Sequence, residues 1–156
     1  YVLQNSRRNW KQFMISLDII QDMWNEDSKI NIDDLHNESL KIPILHSKYY
    51  QIYNNTTLLR KKVLITYKTK KLEKSNYYNG KSDPEVYKEN PFPYKIRDKE
   101  TLLKYLDADD DLNEINLKID YYDVILKYLE EIIKIITNRS FQIKNSIDFL
   151  RFQSGL

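Results

Sequence analysis

The chain contains no cysteine. Disulfides, thiolate metal sites and cysteine nucleophiles are therefore excluded, and stability has to come from packing. Glycine and proline are scarce, 2 and 4 in 156 residues, so the backbone has few places to turn sharply and long helices are the simplest reading. So few glycines leave no G-x-S-x-G, P-loop or G-x-G-x-x-G. His36 and His46 stand ten residues apart, which is not a metal-ligand spacing. No apolar run approaches the ~18 to 20 residues of a membrane span. The first residues, YVLQNSRRNWKQF, lack the ~7 to 15 residue apolar core of a secretion signal. Without such a signal the glycosylation triplet Asn138-Arg139-Ser140 carries no weight. The expectation is no enzyme, no cofactor and no metal.

Charge is abundant but balanced: 31% of residues are charged and the net charge is only +2, so distribution rather than balance has to identify partners. The length is that of about one domain. Residues 15–25 place Leu17, Ile20 and Trp24 on one face of a short helix that Ser16 or Asp18 starts. Asp33 and Asp34 are candidate caps in the polar stretch that follows. Pro43 then sits where a first helical turn accepts proline, which predicts a long helix over about 44–78. Leu45, Tyr49, Ile52, Thr56, Leu59 and Val63 form its packed stripe. Residues 79–98 hold Gly80, Pro84, Pro91 and Pro93 and are read as a loop or strap.

A short helix from about Lys99 to Leu106 precedes the strongest periodic signal. Leu112, Ile115, Ile119, Tyr122, Leu126, Leu129, Ile133, Ile136, Ser140, Ile143, Ile147 and Leu150 follow alternating steps of three and four, and eleven of the twelve are apolar. This is a heptad seam on a helix over about 109–152, roughly 60 Å of rod. The expected fold is all-α: a long antiparallel helical hairpin with a short N-terminal helix and a proline-containing loop. Ile125, Ile132, Ile135, Phe141 and Phe149 lie beside the seam and widen its apolar arc. Either self-association through the C-terminal helix covers that arc, or the N-terminal helix does.

Between Arg60 and Lys81 stand eight basic residues, Arg60, Lys61, Lys62, Lys68, Lys70, Lys71, Lys74 and Lys81, against Glu73 alone. Arg60, Tyr67, Lys71, Lys74 and Tyr78 share one helical face on which cations alternate with rings. Cations hold phosphates and rings stack bases, a combination that suits single-stranded nucleic acid. The other reading is a solvated face opposite the core, with Tyr67 packed inside. The acids Asp107, Asp109, Asp110, Asp111 and Glu114 open the last helix, where negative charge caps free amides and complements the macrodipole. A calcium loop counted from Asp107 fails, with Leu112 for the required Gly and Lys118 for the required Glu.

Asn76-Tyr77-Tyr78-Asn79-Gly80, Ser82-Asp83-Pro84-Glu85-Val86-Tyr87, Asn90-Pro91-Phe92, Leu106-Asp107-Ala108-Asp109 and Asn138-Arg139-Ser140-Phe141-Gln142-Ile143-Lys144-Asn145 follow one another in this order. In order and spacing they closely resemble the UvsY recombination mediators of T-even-like phages, from roughly Met14 to Leu156. The resemblance implies a non-enzymatic mediator in the cytoplasm of an infected bacterial host. Such a mediator binds single-stranded DNA covered by the phage single-strand-binding protein and promotes loading of a UvsX-type recombinase. It also implies a homo-oligomeric ring.

In that family basic residues just before the Tyr-Tyr pair are implicated in DNA binding; Lys74 stands at one such position and Leu72 at another. The candidate strand-binding residues are Arg60, Lys61, Tyr67, Lys68, Lys70, Lys71, Lys74, Tyr77, Tyr78 and Lys81. The C-terminal helix is the family's oligomerisation element, with Leu126, Leu129, Ile133, Ile136, Phe141, Ile143, Ile147 and Leu150 as candidates. Residues 14–156 are read as the mediator domain and residues 1–13 as an upstream extension, with Met14 as the start. The alternative is a helical oligomer or adaptor that binds no nucleic acid.

Overall fold

The computed structural model describes residues 15–155; the readings of residues 1–13 as an extension and of Met14 as the start lie outside the described residues. Among the described residues all regular structure is helical. The order is α1 Leu17–Asp27, a 3-10 turn Ile32–Asp34, α2 Leu35–Tyr78, α3 Pro84–Glu89, α4 Lys99–Asp107 and α5 Asp110–Gln153. These elements belong to two compact units, one running up to Thr57 and resuming at Val124, the other Leu58–Asp123.

In the first unit, Ser16 caps α1 by accepting from the Ile19 amide, and α1 buries Ile20 completely. Asp27 at its end accepts from the Tyr49 hydroxyl at 2.8 Å and from Lys48 Nζ at 2.5 Å. Trp24 meets the Tyr49 ring edge-on at 5.5 Å. Asp34 accepts from the Asn37 amide and so caps α2, which begins at Leu35 and runs through Pro43 rather than starting there. The buried Leu35 and Glu38 hold the first turns in place, and that packing outweighs the missing amide of an interior proline. The first part of α2 runs antiparallel to the last part of α5, since Glu38 meets Arg139 and Tyr53 meets Glu130.

The buried stripe of α5 departs from the heptad reading. Leu112, Ile119, Tyr122, Leu129, Ile136 and Ile143 are buried as that spacing predicts, but Ile125, Ile132 and Arg139 take the places expected of Leu126, Ile133 and Ser140. Leu126 and Ile133 are half-buried and Ser140 is exposed. A one-residue shift turns the seam by about 100° of helix, enough to bring the Arg139 guanidinium to bear on Glu38. Of the oligomerisation candidates, Leu129, Ile136 and Ile143 are buried in this core. Phe141 and Leu150 are exposed and Ile147 half-buried.

In the second unit α2 again runs antiparallel to α5, with Arg60 opposite Asp123 and Lys74 opposite Asp111. No α2 residue beyond Thr56 is buried, so Leu59 and Val63, expected in the core, are only half-buried. The unit is closed instead by the segment after α2. That segment, read as a loop over 79–98, contains α3, with Pro84 in its first turn, where the missing amide is harmless. Gly80, at φ 74, takes the left-handed conformation that ends α2.

Candidate nucleic-acid interface

The candidate interface lies in the second unit. Helical arithmetic does place Arg60, Tyr67, Lys71, Lys74 and Tyr78 on one face, but that face is half-buried and much of its charge is already matched. Arg60 grips Asp123 with Nε and Nη2, a two-pronged contact in which one fork meets one carboxylate. Lys74 Nζ lies 3.0 Å from Asp109 and 2.7 Å from Asp111. The Tyr78 hydroxyl donates to Asp109 at 2.7 Å. Arg60, Lys74 and Tyr78 are thus structural partners of α5 before any ligand arrives. The sequence reading put cations and rings on one face without their partners, because the matching acids lie 31 to 63 residues further along the chain.

The acid run that opens α5 does two jobs. Asp109 accepts from the Leu112 amide at 3.1 Å, capping the helix. Together with Asp111 it also holds Lys74. Burial alone would lower the Lys74 pKa, but the hydrogen bonds to Asp111 and Asp109 outweigh it and push the pKa up to about 12. Burial, and then the hydrogen bond to Asp109, push the Tyr78 hydroxyl up to about 12 as well.

The remaining candidates divide by exposure. Lys61, Lys68 and Lys81 are exposed and make no ion pair among the described residues. Lys70 pairs with Glu73 at 3.0 Å, an exposed contact of little energetic weight. Lys71 lies over the Tyr67 ring, 5.7 Å from its centroid. Tyr77 donates to the Asn90 carbonyl at 3.0 Å and stacks on Tyr87 at 5.4 Å.

Sequence reasoning missed the aromatic cluster that this stack begins. Phe92 lies 5.7 Å from Tyr77, 5.1 Å from Tyr78, 5.6 Å from Tyr94 and 5.3 Å from Tyr105. The Tyr87 hydroxyl donates to the Tyr77 carbonyl at 2.7 Å, satisfying one of the last carbonyls of α2. Tyr94 is 63% exposed, an accessible ring at the edge of the cluster. Lys88, Lys95, Arg97 and Lys99 in the same segment are exposed, and among the described residues none of them makes an ion pair. The available signal was the density of rings and cations among the prolines, which a loop assignment passes over. The candidate interface thus comprises exposed cations on α2 and on the strap together with the ring cluster. Such a surface can neutralise phosphates and offer an edge for stacking.

Comparison with known proteins gives this geometry a context. The bacteriophage T4 recombination mediator protein UvsY has crystal structures in several lattices that match this chain. One superposes with a TM-score of 0.79 at 20% identity, covering 90% of this chain and 99% of the other. Two more give 0.76, at 19% identity over 89% of this chain and 99% of that one, and at 21% over 85% and 97%. At these identities the likeness establishes a shared fold. No curated protein matches the sequence. The family model described as recombination, repair and ssDNA binding protein UvsY matches residues 23–156, nearly the whole chain, and this protein belongs to that UvsY family.

Proposed function

We propose that this chain is a non-enzymatic recombination mediator that binds single-stranded DNA. It acts in the cytoplasm of an infected bacterial host and promotes loading of a UvsX-type recombinase onto strand covered by the phage single-strand-binding protein. The observation that carries this reading is the surface of the Leu58–Asp123 unit. There Lys61, Lys68 and Lys81 on or after α2, and Lys95 and Arg97 beside the exposed Tyr94, stand unpaired among the described residues. Phosphate neutralisation supplies sequence-independent affinity and rings tolerate any base.

The protein works as a homo-oligomer, with a ring as the proposed form. Exposed Phe141, Phe149, Leu150 and Phe152 near the end of α5, and Leu58, Ile65 and Leu72 at seven-residue intervals on the exposed side of α2, are apolar surface that a second copy can cover. Several weak sites on one assembly raise the effective affinity while each contact stays exchangeable, which suits a protein that must hand its strand on.

Titration of a fluorescent single-stranded oligonucleotide at low and moderate salt, with a duplex control, tests the binding. With about five phosphates neutralised, log K falls with log salt at a slope of ~3.5. No binding in dilute buffer overturns the reading. Adding the cognate recombinase to strand covered by single-strand-binding protein, with and without this chain, tests the mediator step; equal filament formation in both refutes it.

A further inference from the structure

We propose that Asp111 is a displaceable counter-ion, seated on Lys74 where a backbone phosphate of a bound strand goes, and that it sets how tightly the strand is held. This rests on the single-strand reading above and deepens it.

The two carboxylates on Lys74 are not equivalent. The Asp109 side chain is 3% exposed and is built into the fold, accepting from the Tyr78 hydroxyl and the Leu112 amide as well as from Lys74. The Asp111 side chain is 57% exposed, and among the described residues Lys74 is its only partner, at 2.7 Å. Releasing Asp109 would strip a helix cap and leave a tyrosine hydroxyl unpaired. Releasing Asp111 costs one ion pair in which the carboxylate is exposed and the Lys74 side chain is 22% exposed, while Asp109 stays on the same ammonium.

The position of this pair makes the difference consequential. Lys74 and Asp111 line an open cleft of roughly 790 Å³, together with Lys70, Tyr77, Lys81 and Asn90. Three of the lining residues are lysines, Lys70, Lys74 and Lys81, against three acids, Glu73, Asp83 and Asp111. Lys81 is unpaired among the described residues, Lys70 has only the exposed Glu73, and Lys74 is the one held by two acids. A phosphate entering the cleft toward Lys81 and Lys70 reaches the same Nζ that Asp111 holds. Both anions accept the same hydrogen bond, so the ammonium exchanges one oxygen for another while Asp111 returns to water. Because Lys74 is neutralised beforehand, it contributes little net attraction in the resting state. Removing the Asp111 charge makes it a full phosphate site.

The experiment uses the full chain and a fluorescent oligothymidylate titrated across a salt series. Asp111→Asn is expected to tighten binding about two- to fivefold at low salt, the size of an exposed ion pair. It should also steepen the salt slope by about 0.7, one strand phosphate. Asp110→Asn removes the same formal charge one residue away without touching Lys74 and reports the effect of net charge alone. Placing Asp111→Asn in a Lys74→Gln background should abolish the gain. Circular dichroism of each variant establishes that α5 is intact, and Asp111→Ser repeats the test should Asn disturb the helix. A gain no larger than that of Asp110→Asn, or one that survives Lys74→Gln, overturns the counter-ion role while leaving strand binding intact. Wild-type protein that ignores the oligonucleotide in dilute buffer overturns the single-strand reading and this proposal with it.

Discussion

Arg139 and Glu38, 101 residues apart in the chain, form an ion pair at 2.9 Å whose side chains are only 3% and 4% exposed. The same guanidinium donates to the backbone carbonyls of Asp27 and Lys29, both at 2.7 Å. One cation thereby ties α5 to α2 and closes the end of α1, where carbonyls lack intrahelical partners. Among the described residues its Nε alone has no partner, while Nη1 and Nη2 both donate. Removing Arg139 from this buried pair costs about 3 kcal/mol, the lower end of the range for a stranded charge, because Lys41 still pairs with Glu38 at 2.7 Å. Arg139→Ala should therefore lower stability by about that amount. Arg139→Ala with Glu38→Ala should fall well short of the sum of the single losses, as chemical denaturation would measure. Strict additivity would deny that the two side chains act as a unit.

The Asp109 network makes a pH prediction. Burial alone would raise the Asp109 pKa, but hydrogen bonds from Tyr78, Lys74 and the Leu112 amide outweigh it and hold the carboxyl below its ordinary 3.8. Its stabilisation is thus present above pH 3.8 and is lost as pH falls through the depressed folded value. Lys74 and Tyr78 move the other way, up to about 12 from 10.5 and 10.0. Their contribution is whole below pH 10.0 and disappears as pH rises through about 12. The melting temperature should be level through neutrality and fall at both extremes. Lys74→Gln with Tyr78→Phe should flatten the alkaline limb. Following tyrosinate absorbance in wild type and Tyr78→Phe gives the check, and a Tyr78 that titrates at its ordinary value would contradict the network.

These two networks also mark how far the sequence could be read. The helices were legible because their signals are local: Ser16 as a cap, the scarcity of glycine and proline, and the three-four spacing from Leu112 onward. Pro43 misled because a local rule predicts a start there, whereas the buried Glu38, held by a residue of the last helix, carries the helix back to Leu35. The basic face was legible as a face but not as a partnered one, since Asp123, Asp111 and Asp109 come from α5. Rings in the strap escaped notice because a cluster assembled by a proline-bearing segment has no period.

Tyr87 is the hinge pin of that strap. Its hydroxyl donates to the Tyr77 carbonyl at 2.7 Å and accepts from the Ser82 amide at 3.2 Å, while its ring stacks on Tyr77. Tyr87→Phe keeps the ring and leaves both backbone groups without this partner, a loss of about 1–3 kcal/mol where they are screened from water. The loss should appear as faster amide exchange at Ser82, with helix content unchanged. Amide protection equal to wild type would show that water replaces the hydroxyl without penalty.

The shifted seam of α5 is testable residue by residue. Ile125 and Ile132 are 1% exposed, whereas their neighbours Leu126 and Ile133 are half-buried. Truncating a buried aliphatic to alanine costs about 2–5 kcal/mol through lost transfer energy and the cavity left behind. Ile125→Ala and Ile132→Ala should each fall in that range. Leu126→Ala and Ile133→Ala should cost less than half as much, and Ser140→Ala should lie within about 0.5 kcal/mol of wild type. The measurement is best made at several protein concentrations. A loss at Leu126 or Ile133 that grows with concentration would mean that these side chains are covered by a second copy, while equal losses at Ile125 and Leu126 in dilute solution would return the core to the unshifted heptad.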